Sequence, residues 1–126
     1  MPSIQQGFWN AKEGNLLPSD GNVEYLGAIL DPSESDAFFH TLLSTLLWQN
    51  DQVILFGKAR TLSRKVAWHG DDSFTYAYSG TSKTASPWTP ELRLIKERVE
   101  KRAGTTFNSC LLNLYHDGME GMGWHS

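Results

Sequence analysis

The sequence predicts a single α+β domain in which two helices pack on strands that lie between and after them. Two segments begin with the residue types that start helices, and several others alternate apolar and polar side chains with period two. The chain has 126 residues, of which 40% are hydrophobic. A chain of this size and composition can bury one modest core but not two, so we expect residues 1–126 to form one domain.

The first predicted helix begins after Asp31. The Asp31 side chain can accept hydrogen bonds from free backbone amides, Pro32 suits the first helical position, and Glu34 stands where a capping box places its carboxylate. Apolar side chains then recur at intervals of three and four residues, which predicts a helix to about Trp48. One broad buried face should carry Phe39, Leu42, Leu43, Leu46 and Leu47.

The second predicted helix opens at Thr89-Pro90-Glu91 and stops at Gly104. Its apolar side chains again fall on one side at helical spacing, and they are Leu92, Ile95 and Val99. Both helices have the pattern of structural elements that cover a core.

Four other segments have strand character, at 53–56, around 64–68, at 74–79 and at 107–115. In the last of these, period-two alternation places Phe107, Ser109, Leu111, Asn113 and Tyr115 on one face and Asn108, Cys110, Leu112 and Leu114 on the other. Asn113 and Tyr115 should therefore project side by side. Asp117-Gly118 then marks a turn.

The charge pattern is more informative than the net charge of −3, which only excludes a wholly basic protein that coats nucleic acid. Four bases fall within eight positions, and they are Lys58, Arg60, Arg64 and Lys65. Such a cluster is either a solvated strand or loop, or a local strip that binds phosphates. Charge alone leaves both interpretations open.

The single cysteine, Cys110, has no partner for an intramolecular disulfide, which favours a reducing compartment. The first residues lack a basic segment followed by an apolar one, and no apolar run is long enough to span a bilayer. We therefore expect that the protein has no membrane partner. We also expect it to be located in the cytoplasm, or in the nucleus if the source is eukaryotic.

Residues 107–118, followed by Gly123-Trp124-His125-Ser126, resemble the segment of AlkB-family iron(II) and 2-oxoglutarate dioxygenases that enters the catalytic jelly roll. Further matches to the DNA-repair branch of that family, in the same order and at similar spacing, are Phe56-Gly57-Lys58, Arg64-Lys65, Tyr76 to Gly80, and Pro87-Trp88. The resemblance covers roughly residues 50–126. It implies a nucleotide-recognition region at about 50–80 and the first strands of a double-stranded β-helix, or jelly roll, at 106–126.

The resemblance also implies a cofactor site. The family's N-x-Y pair, which binds 2-oxoglutarate, falls on Asn113 and Tyr115. An amide and a phenol on one strand face can donate two hydrogen bonds to a carboxylate. The alternative is structural, with Tyr115 as a half-buried strand aromatic and Asn113 as the start of a turn. His125 matches the first ligand of the family's H-x-D iron(II) motif.

The sequence ends at Ser126, one residue before the aspartate of that motif. We therefore expect that these 126 residues are inactive alone. We also expect them either to be part of a longer ordered protein or to self-associate, because a jelly roll cut at this point exposes strand edges. A second H-x-D string, His69-Gly70-Asp71, is interpreted as a turn that binds no metal.

On the substrate side, Phe56 matches the wedge of the hairpin that duplex-repair members insert into DNA, with Gly57 and Lys58 beside it. Tyr78 matches the aromatic residue that stacks on the flipped base, with Tyr76 and Ser79 as neighbours. Lys58 and Arg64 would then meet phosphates. The alternative is that Phe56 and Tyr78 are strand aromatics in a core.

The function implied by the resemblance is iron(II)- and 2-oxoglutarate-dependent oxidative dealkylation of alkylated nucleic-acid bases, with formaldehyde, succinate and CO2 as products. DNA is favoured over RNA as the partner. An alternative of another class is a non-catalytic nucleic-acid-binding module that has lost the iron site. A third is an oxygenase that acts on protein or lipid.

Overall fold

The computed structural model of the protein describes residues 14–78 and 81–121, and it describes only the backbone of Tyr78 and Thr81. Within these residues the chain forms two helices and six strands, which confirms the α+β class. The helices are α1 (Pro32–Thr45) and α2 (Pro90–Ala103). The strands are β1 (Gln49–Leu55), β2 (Lys58–Gly70), β3 (Thr75–Tyr78), β4 (Thr81–Thr84), β5 (Ser86–Pro87) and β6 (Ser109–Leu114).

Strand β2 is the centre of a four-stranded sheet. Strand β1 runs antiparallel to it as a hairpin, β6 runs antiparallel to its second half, and β5 forms a short parallel pair with its end. Val66 in β2 is opposite both Gln49 of β1 and Asn113 of β6, so those two strands lie on opposite edges of β2. Strands β3 and β4 form a separate two-stranded sheet.

Helix α1 begins with the predicted capping box. The Asp31 carboxylate accepts from the Glu34 amide at 2.8 Å, and the Glu34 carboxylate accepts from the Asp31 amide at 3.4 Å. The helix ends at Thr45 rather than near Trp48, because Leu46 already has an extended backbone with ψ 148°. The Leu42 carbonyl accepts both the Leu46 amide at 3.2 Å and the Trp48 indole at 3.1 Å, so the side chain that follows the helix is bound to its last turn.

The predicted broad buried face of this helical segment is only partly realised. Leu46 is buried and Leu42 is half-buried, but Phe39, Leu43 and Leu47 are 54%, 43% and 84% exposed. Leu47 follows the end of the helix, so the helical spacing no longer predicts its direction. For Phe39 and Leu43, the described residues provide no further layer to cover them.

Helix α2 matches its prediction at both ends. The Thr89 hydroxyl accepts from the Leu92 amide at 3.2 Å, and Gly104 stops the helix in the left-handed conformation with φ 72°. Leu92 is 3% exposed, and Ile95 and Val99 are half-buried. The two helices are joined by Arg98, which donates to both carboxylate oxygens of Glu34, at 3.0 and 2.5 Å.

The core lies between the helices and one face of the sheet. Its buried members are Leu46, Ala67 and Leu92, and the half-buried side chains packed around them are Leu42, Trp48, Trp88 and Leu112. Each buried leucine contributes about 1.5–3 kcal/mol to folding. Ala67 pairs with Leu112 on this face, so Val66 and its partner Asn113 belong to the opposite face of the sheet.

The strand predictions were correct in position but not in extent. The segment around 64–68 is part of a strand of 13 residues, and the predicted strand at 107–115 is shorter, covering Ser109–Leu114. The polar segment Thr81–Thr84 was not predicted as a strand, because it lacks apolar alternation and is held by pairing with β3. In the described part of the chain, neither helix is long and apolar enough to cross a membrane.

Candidate functional site

The hairpin of β1 and β2 ends in a turn that places an aromatic side chain in solvent. Leu55 pairs with Lys58, so Phe56 and Gly57 form a two-residue loop, and both have positive φ, 53° and 75°. Positive φ at both central positions is the type I′ arrangement, which suits the twist of a hairpin and favours Asn-Gly. Glycine adopts positive φ readily, but a phenylalanine with positive φ is an outlier.

Phe56 is 99% exposed, so the interpretation that it is a core aromatic is wrong. The left-handed conformation costs a residue with a Cβ about 1–2 kcal/mol. Exposure of the ring also forgoes the stabilisation that burial would provide. Folding therefore does not account for a phenylalanine at this position, whereas a partner that receives the ring would.

The four predicted bases do not form one continuous strip. Lys58 and Arg60 are exposed on one face of the hairpin, where their register partners in β1 are Leu55 and Val53. Lys65 is half-buried and pairs with Leu114, on the sheet face that the helices cover. Among these bases, Lys58 and Arg60 are thus the two that the fold presents to solvent beside Phe56.

Arg64 points into the protein instead. Its side chain is 10% exposed, and its guanidinium donates to Asp51 Oδ2 at 2.6 Å and to the Gly121 carbonyl at 3.0 Å. The phosphate contact predicted for Arg64 therefore has no exposed group to make it. Sequence reasoning missed Asp51 as its partner, because the pair is separated by thirteen positions and depends on the hairpin register.

Asp51 also accepts from Lys83 Nζ of β4, at 2.5 Å. Partial burial raises the pKa of Asp51, but the hydrogen bonds from Lys83 and Arg64 outweigh it and hold the pKa below its usual value. The carboxylate is thus ionised near neutral pH and bridges two cations.

The hairpin of β3 and β4 carries the predicted base-stacking residues. Tyr76 is 59% exposed and is opposite Lys83 in the register. The backbone of Tyr78 ends β3 and pairs with Thr81. The Tyr78 side chain and Ser79 lie outside the described residues.

The candidate cofactor residues lie on and just after β6. Burial alternates as predicted over 111–114, with Leu112 and Leu114 half-buried and Leu111 and Asn113 exposed. Tyr115 follows the strand and is 39% exposed. An amide and a phenol at these two positions can both donate to one carboxylate, which is the donor set that a keto acid requires.

The sheet face away from the helices contains a cavity of about 310 Å³. Val66, Trp68 and Leu111 line it from the sheet, and Ser82, Lys83 and Thr84 line it from β4. The volume is in the range of small-molecule sites. A larger polar depression of about 740 Å³ lies elsewhere, around Asp71, Lys96 and Glu100, and contains none of the predicted site residues.

The loop after β6 is closed by a contact between His116 and Glu120. The Glu120 carboxylate accepts from the His116 backbone amide at 2.8 Å and lies 2.9 Å from His116 Nδ1. The hydrogen bond from the His116 backbone amide is the main reason that the pKa of Glu120 is lowered. This contact fixes the chain between Tyr115 and Gly121.

The predicted iron ligand His125 lies outside the described residues. Within residues 14–78 and 81–121, no group of three histidine, cysteine or carboxylate side chains could hold a metal ion. The second H-x-D string was predicted to be a turn, but His69 and Gly70 are the last residues of β2 and only Asp71 follows the strand. His69 Nδ1 is 2.7 Å from the Pro87 carbonyl, and Asp71 accepts from the Trp88 indole at 2.7 Å.

Comparison with known proteins identifies relatives of the chain. The chain is 40% identical over 115 residues to the DNA oxidative demethylase ALKBH2 of Bos taurus, covering 89% of this chain and 41% of that protein. It is 34% identical over 98 residues to the human alpha-ketoglutarate-dependent dioxygenase alkB homolog 3, covering 77% of this chain and 34% of that protein. The chain thus spans less than half of the length of these relatives.

The family match covers most of the chain. Residues 22–126 match the family described as the 2OG-Fe(II) oxygenase superfamily, a range that contains both hairpins and β6. Together with the similarity to the alkB-type relatives, this match shows that the chain belongs to the AlkB family of 2OG-Fe(II) oxygenases.

Proposed function

We propose that the native protein containing this chain removes alkyl groups oxidatively from nucleic-acid bases, with iron(II) and 2-oxoglutarate, and that DNA is its substrate. The observation that carries this proposal is Phe56, fully exposed in a left-handed turn and flanked by Lys58 and Arg60. The names of the relatives, a DNA oxidative demethylase and an alpha-ketoglutarate-dependent dioxygenase, support the same chemistry.

On the substrate side, the hairpin tip would replace a base that leaves the stack. An alkylated base inside a duplex is out of reach of an enzyme, so the nucleotide must rotate out, and an inserted apolar side chain can fill the gap. Phe56 would be that wedge, with Gly57 permitting the tight turn. Lys58 and Arg60 would bind the flanking phosphates. The extruded base would then stack on the hairpin of β3 and β4, where Tyr76, Tyr78 and Ser79 would contact it.

On the cofactor side, the Asn113 amide and the Tyr115 hydroxyl would donate hydrogen bonds to 2-oxoglutarate. His125 would supply one ligand to iron, and later strands of the jelly roll that residues 106–126 begin would supply the remaining ligands. Iron(II), when bound with 2-oxoglutarate, would use O2 to oxidise the N-linked alkyl carbon, with succinate and CO2 as co-products, after which the base would be restored with release of formaldehyde. This chain's residues bind and orient the reactants.

The test uses the native protein, oligonucleotides that carry a methylated base, and measurement of formaldehyde and succinate. Asn113→Ala and Tyr115→Phe should each raise the KM for 2-oxoglutarate about tenfold or more, because each removes one hydrogen bond to a charged group. Asn108→Ala, in the loop before β6, is the matched control. Unchanged 2-oxoglutarate kinetics in both variants would remove the cofactor assignment.

Substrate class is tested separately. DNA and RNA oligonucleotides that carry the same methylated base would be compared at a fixed salt concentration, because phosphate contacts make both affinities salt-dependent. A higher kcat/KM for RNA would contradict the choice of DNA but leave the dealkylation chemistry intact. Absence of formaldehyde with every methylated substrate would contradict the dealkylation itself.

A further inference from the structure

Asp51 connects two parts of the fold that share no strand pairing among the described residues. Its two carboxylate oxygens bind different cations, with Oδ2 2.6 Å from Arg64 of β2 and Oδ1 2.5 Å from Lys83 of β4. Strand β4 pairs with β3 in a sheet that is separate from the one containing β2. The side chains of Asp51 and Arg64 are 14% and 10% exposed, so this part of the junction is largely shielded from solvent, whereas Lys83 is 40% exposed.

The junction lies where the hairpin of β1 and β2 leaves the main sheet. Asn50 pairs with Lys65, but Gln52 pairs with Thr61, so residues 62–64 of β2 face Asp51 alone. The Asn50 side chain donates to the Leu62 carbonyl at 2.9 Å and compensates for part of the interrupted ladder. Such a bulge bends a strand and increases its twist, and it therefore sets the direction of the hairpin beyond it.

The same junction reaches two other elements of the proposed site. Arg64 donates to the Gly121 carbonyl, at the end of the described loop that leads toward His125. Lys83 is the register partner of Tyr76. The two cations that Asp51 binds are therefore connected to three parts of the proposed site. Arg64 lies on β2, which begins at the Phe56 turn, and it contacts the loop at Gly121. Lys83 is paired with Tyr76.

We propose that Asp51 is a positioning residue that fixes the Phe56 hairpin relative to the Tyr76 hairpin by binding Arg64 and Lys83 at once. Its consequence for catalysis rests on the proposed function. The mechanical link does not, since it follows from the contacts alone.

The burial of Arg64 explains why a carboxylate is needed here. The guanidinium of Arg64 is buried, and its Nε has no hydrogen-bond partner within the described part of the chain. The carboxylate of Asp51 is the anion that compensates its charge. Removing one member of a buried ion pair leaves an uncompensated charge and is strongly destabilising. Asp51→Ala is therefore a poor first test, because it could unfold the chain.

A gentler variant is Lys83→Met, which removes only the more exposed cation and leaves the pair of Asp51 and Arg64 intact. We expect amide hydrogen exchange at 75–78 and 81–84 to be about tenfold faster in this variant of the native protein without nucleic acid. Lys83→Arg should restore slow exchange. Glu34→Gln, which removes one carboxylate from an ion pair between the helices, is the matched control and should leave these amides unchanged. Unchanged exchange in Lys83→Met would overturn the link.

The consequence for substrate is tested with Asp51→Asn, which removes the charge but keeps the shape of the side chain and an oxygen that can still accept from Arg64, and whose folding is first checked by its Tm. We expect the KM for a methylated duplex to rise about tenfold, with kcat and the KM for 2-oxoglutarate within about twofold of the parent. If Asp51 only neutralised the two cations, its loss would add positive charge and tighten nucleic-acid binding. An unchanged or lower KM would therefore overturn the positioning role. If the parent protein dealkylates no substrate, the proposed function fails and the exchange experiment still decides the link.

Discussion

Val66 in β2 lies directly opposite Asn113 in β6, so the strand that leaves the Phe56 turn is paired with the strand that carries the candidate cofactor residues. Strand β2 is continuous from Lys58 at the turn to Gly70. A single strand thus places the proposed wedge and the proposed 2-oxoglutarate site in one sheet. The bulge at 62–64 is the one irregularity that the register of β1 and β2 shows between them.

Replacing Phe56 by glycine should leave the fold as stable or slightly more stable but reduce the activity on duplex substrates. Phe56→Gly removes the strain of a side chain at φ 53°, and we expect it to leave the free energy of unfolding unchanged or to raise it by about 0.5–1 kcal/mol. The same change should lower the kcat/KM for a methylated duplex about tenfold or more and affect a single strand less, because only the duplex needs a wedge. Chemical denaturation and steady-state kinetics measure the two effects.

Phe39→Ala is the control for loss of an exposed phenyl ring, since Phe39 is 54% exposed on α1, in a separate element from the hairpin. It should not change the ratio of duplex to single-strand activity. If Phe56→Gly destabilised the fold and left that ratio unchanged, Phe56 would be a structural residue.

Gly57→Ala should have the opposite effect on stability. Gly57 has φ 75°, and no heavy atom lies within 4 Å of the position that a Cβ would occupy, so the cost is conformational rather than steric. We expect a loss of about 1 kcal/mol in the free energy of unfolding. Denaturant midpoints of the parent and the variant at equal slope give this value. A stabilised Gly57→Ala variant would contradict the left-handed turn.

The turn also shows how far sequence reasoning reached. The capping residues located both helix starts, because these signals act between near neighbours. The hairpin with Phe56 at its tip was predicted from the family resemblance, whereas the strand pattern alone had placed Phe56 inside a strand at 53–56. The interior position of Arg64 was not predictable in this way, since it depends on Asp51, Lys83 and a bulge in the register. Likewise, the exposure of Leu43 depends on which layers cover α1, which its own spacing does not encode.

Two adjacent leucines at the end of α1 provide a matched pair. Leu46 is 7% exposed and belongs to the core, whereas Leu47 is 84% exposed. We expect Leu46→Ala to lower the free energy of unfolding by about 2–5 kcal/mol, because it removes buried surface and leaves a cavity. Leu47→Ala should change it by less than about 0.5 kcal/mol. Equal effects in thermal unfolding would contradict the placement of the core on this side of the sheet.

The ion pair of Glu34 and Arg98 should make stability depend on pH in the acid range. Hydrogen bonds from the Arg98 side chain and the Asp31 backbone lower the pKa of Glu34 from 4.5 to about 2. Since the folded-state pKa is the lower one, the stabilisation is fully present above pH 4.5 and is lost as the pH falls toward about 2. The pair is solvent-exposed, so the effect on Tm should be small and should weaken with added salt.

Glu34→Gln removes this titration and is the comparison for it. The difference in Tm between the parent and Glu34→Gln should shrink as the pH is lowered from 6 to about 2, the range set by the pKa of Glu34. A difference that stayed constant over this range would contradict the lowered pKa of Glu34.

The thiol of Cys110 should report the opening of β6. Cys110 is half-buried, is opposite His69 in the register, and is the single cysteine of the chain. Burial raises the pKa of this thiol above 9.0, so little of the reactive thiolate exists near neutral pH. We expect a disulfide reagent at pH 8 to modify the folded protein about a hundredfold more slowly than the same protein unfolded in urea. Because β6 carries Asn113, 2-oxoglutarate bound at the proposed site should slow the reaction further. A thiol that reacted equally fast in the folded and unfolded states would contradict the pairing of β6 with β2.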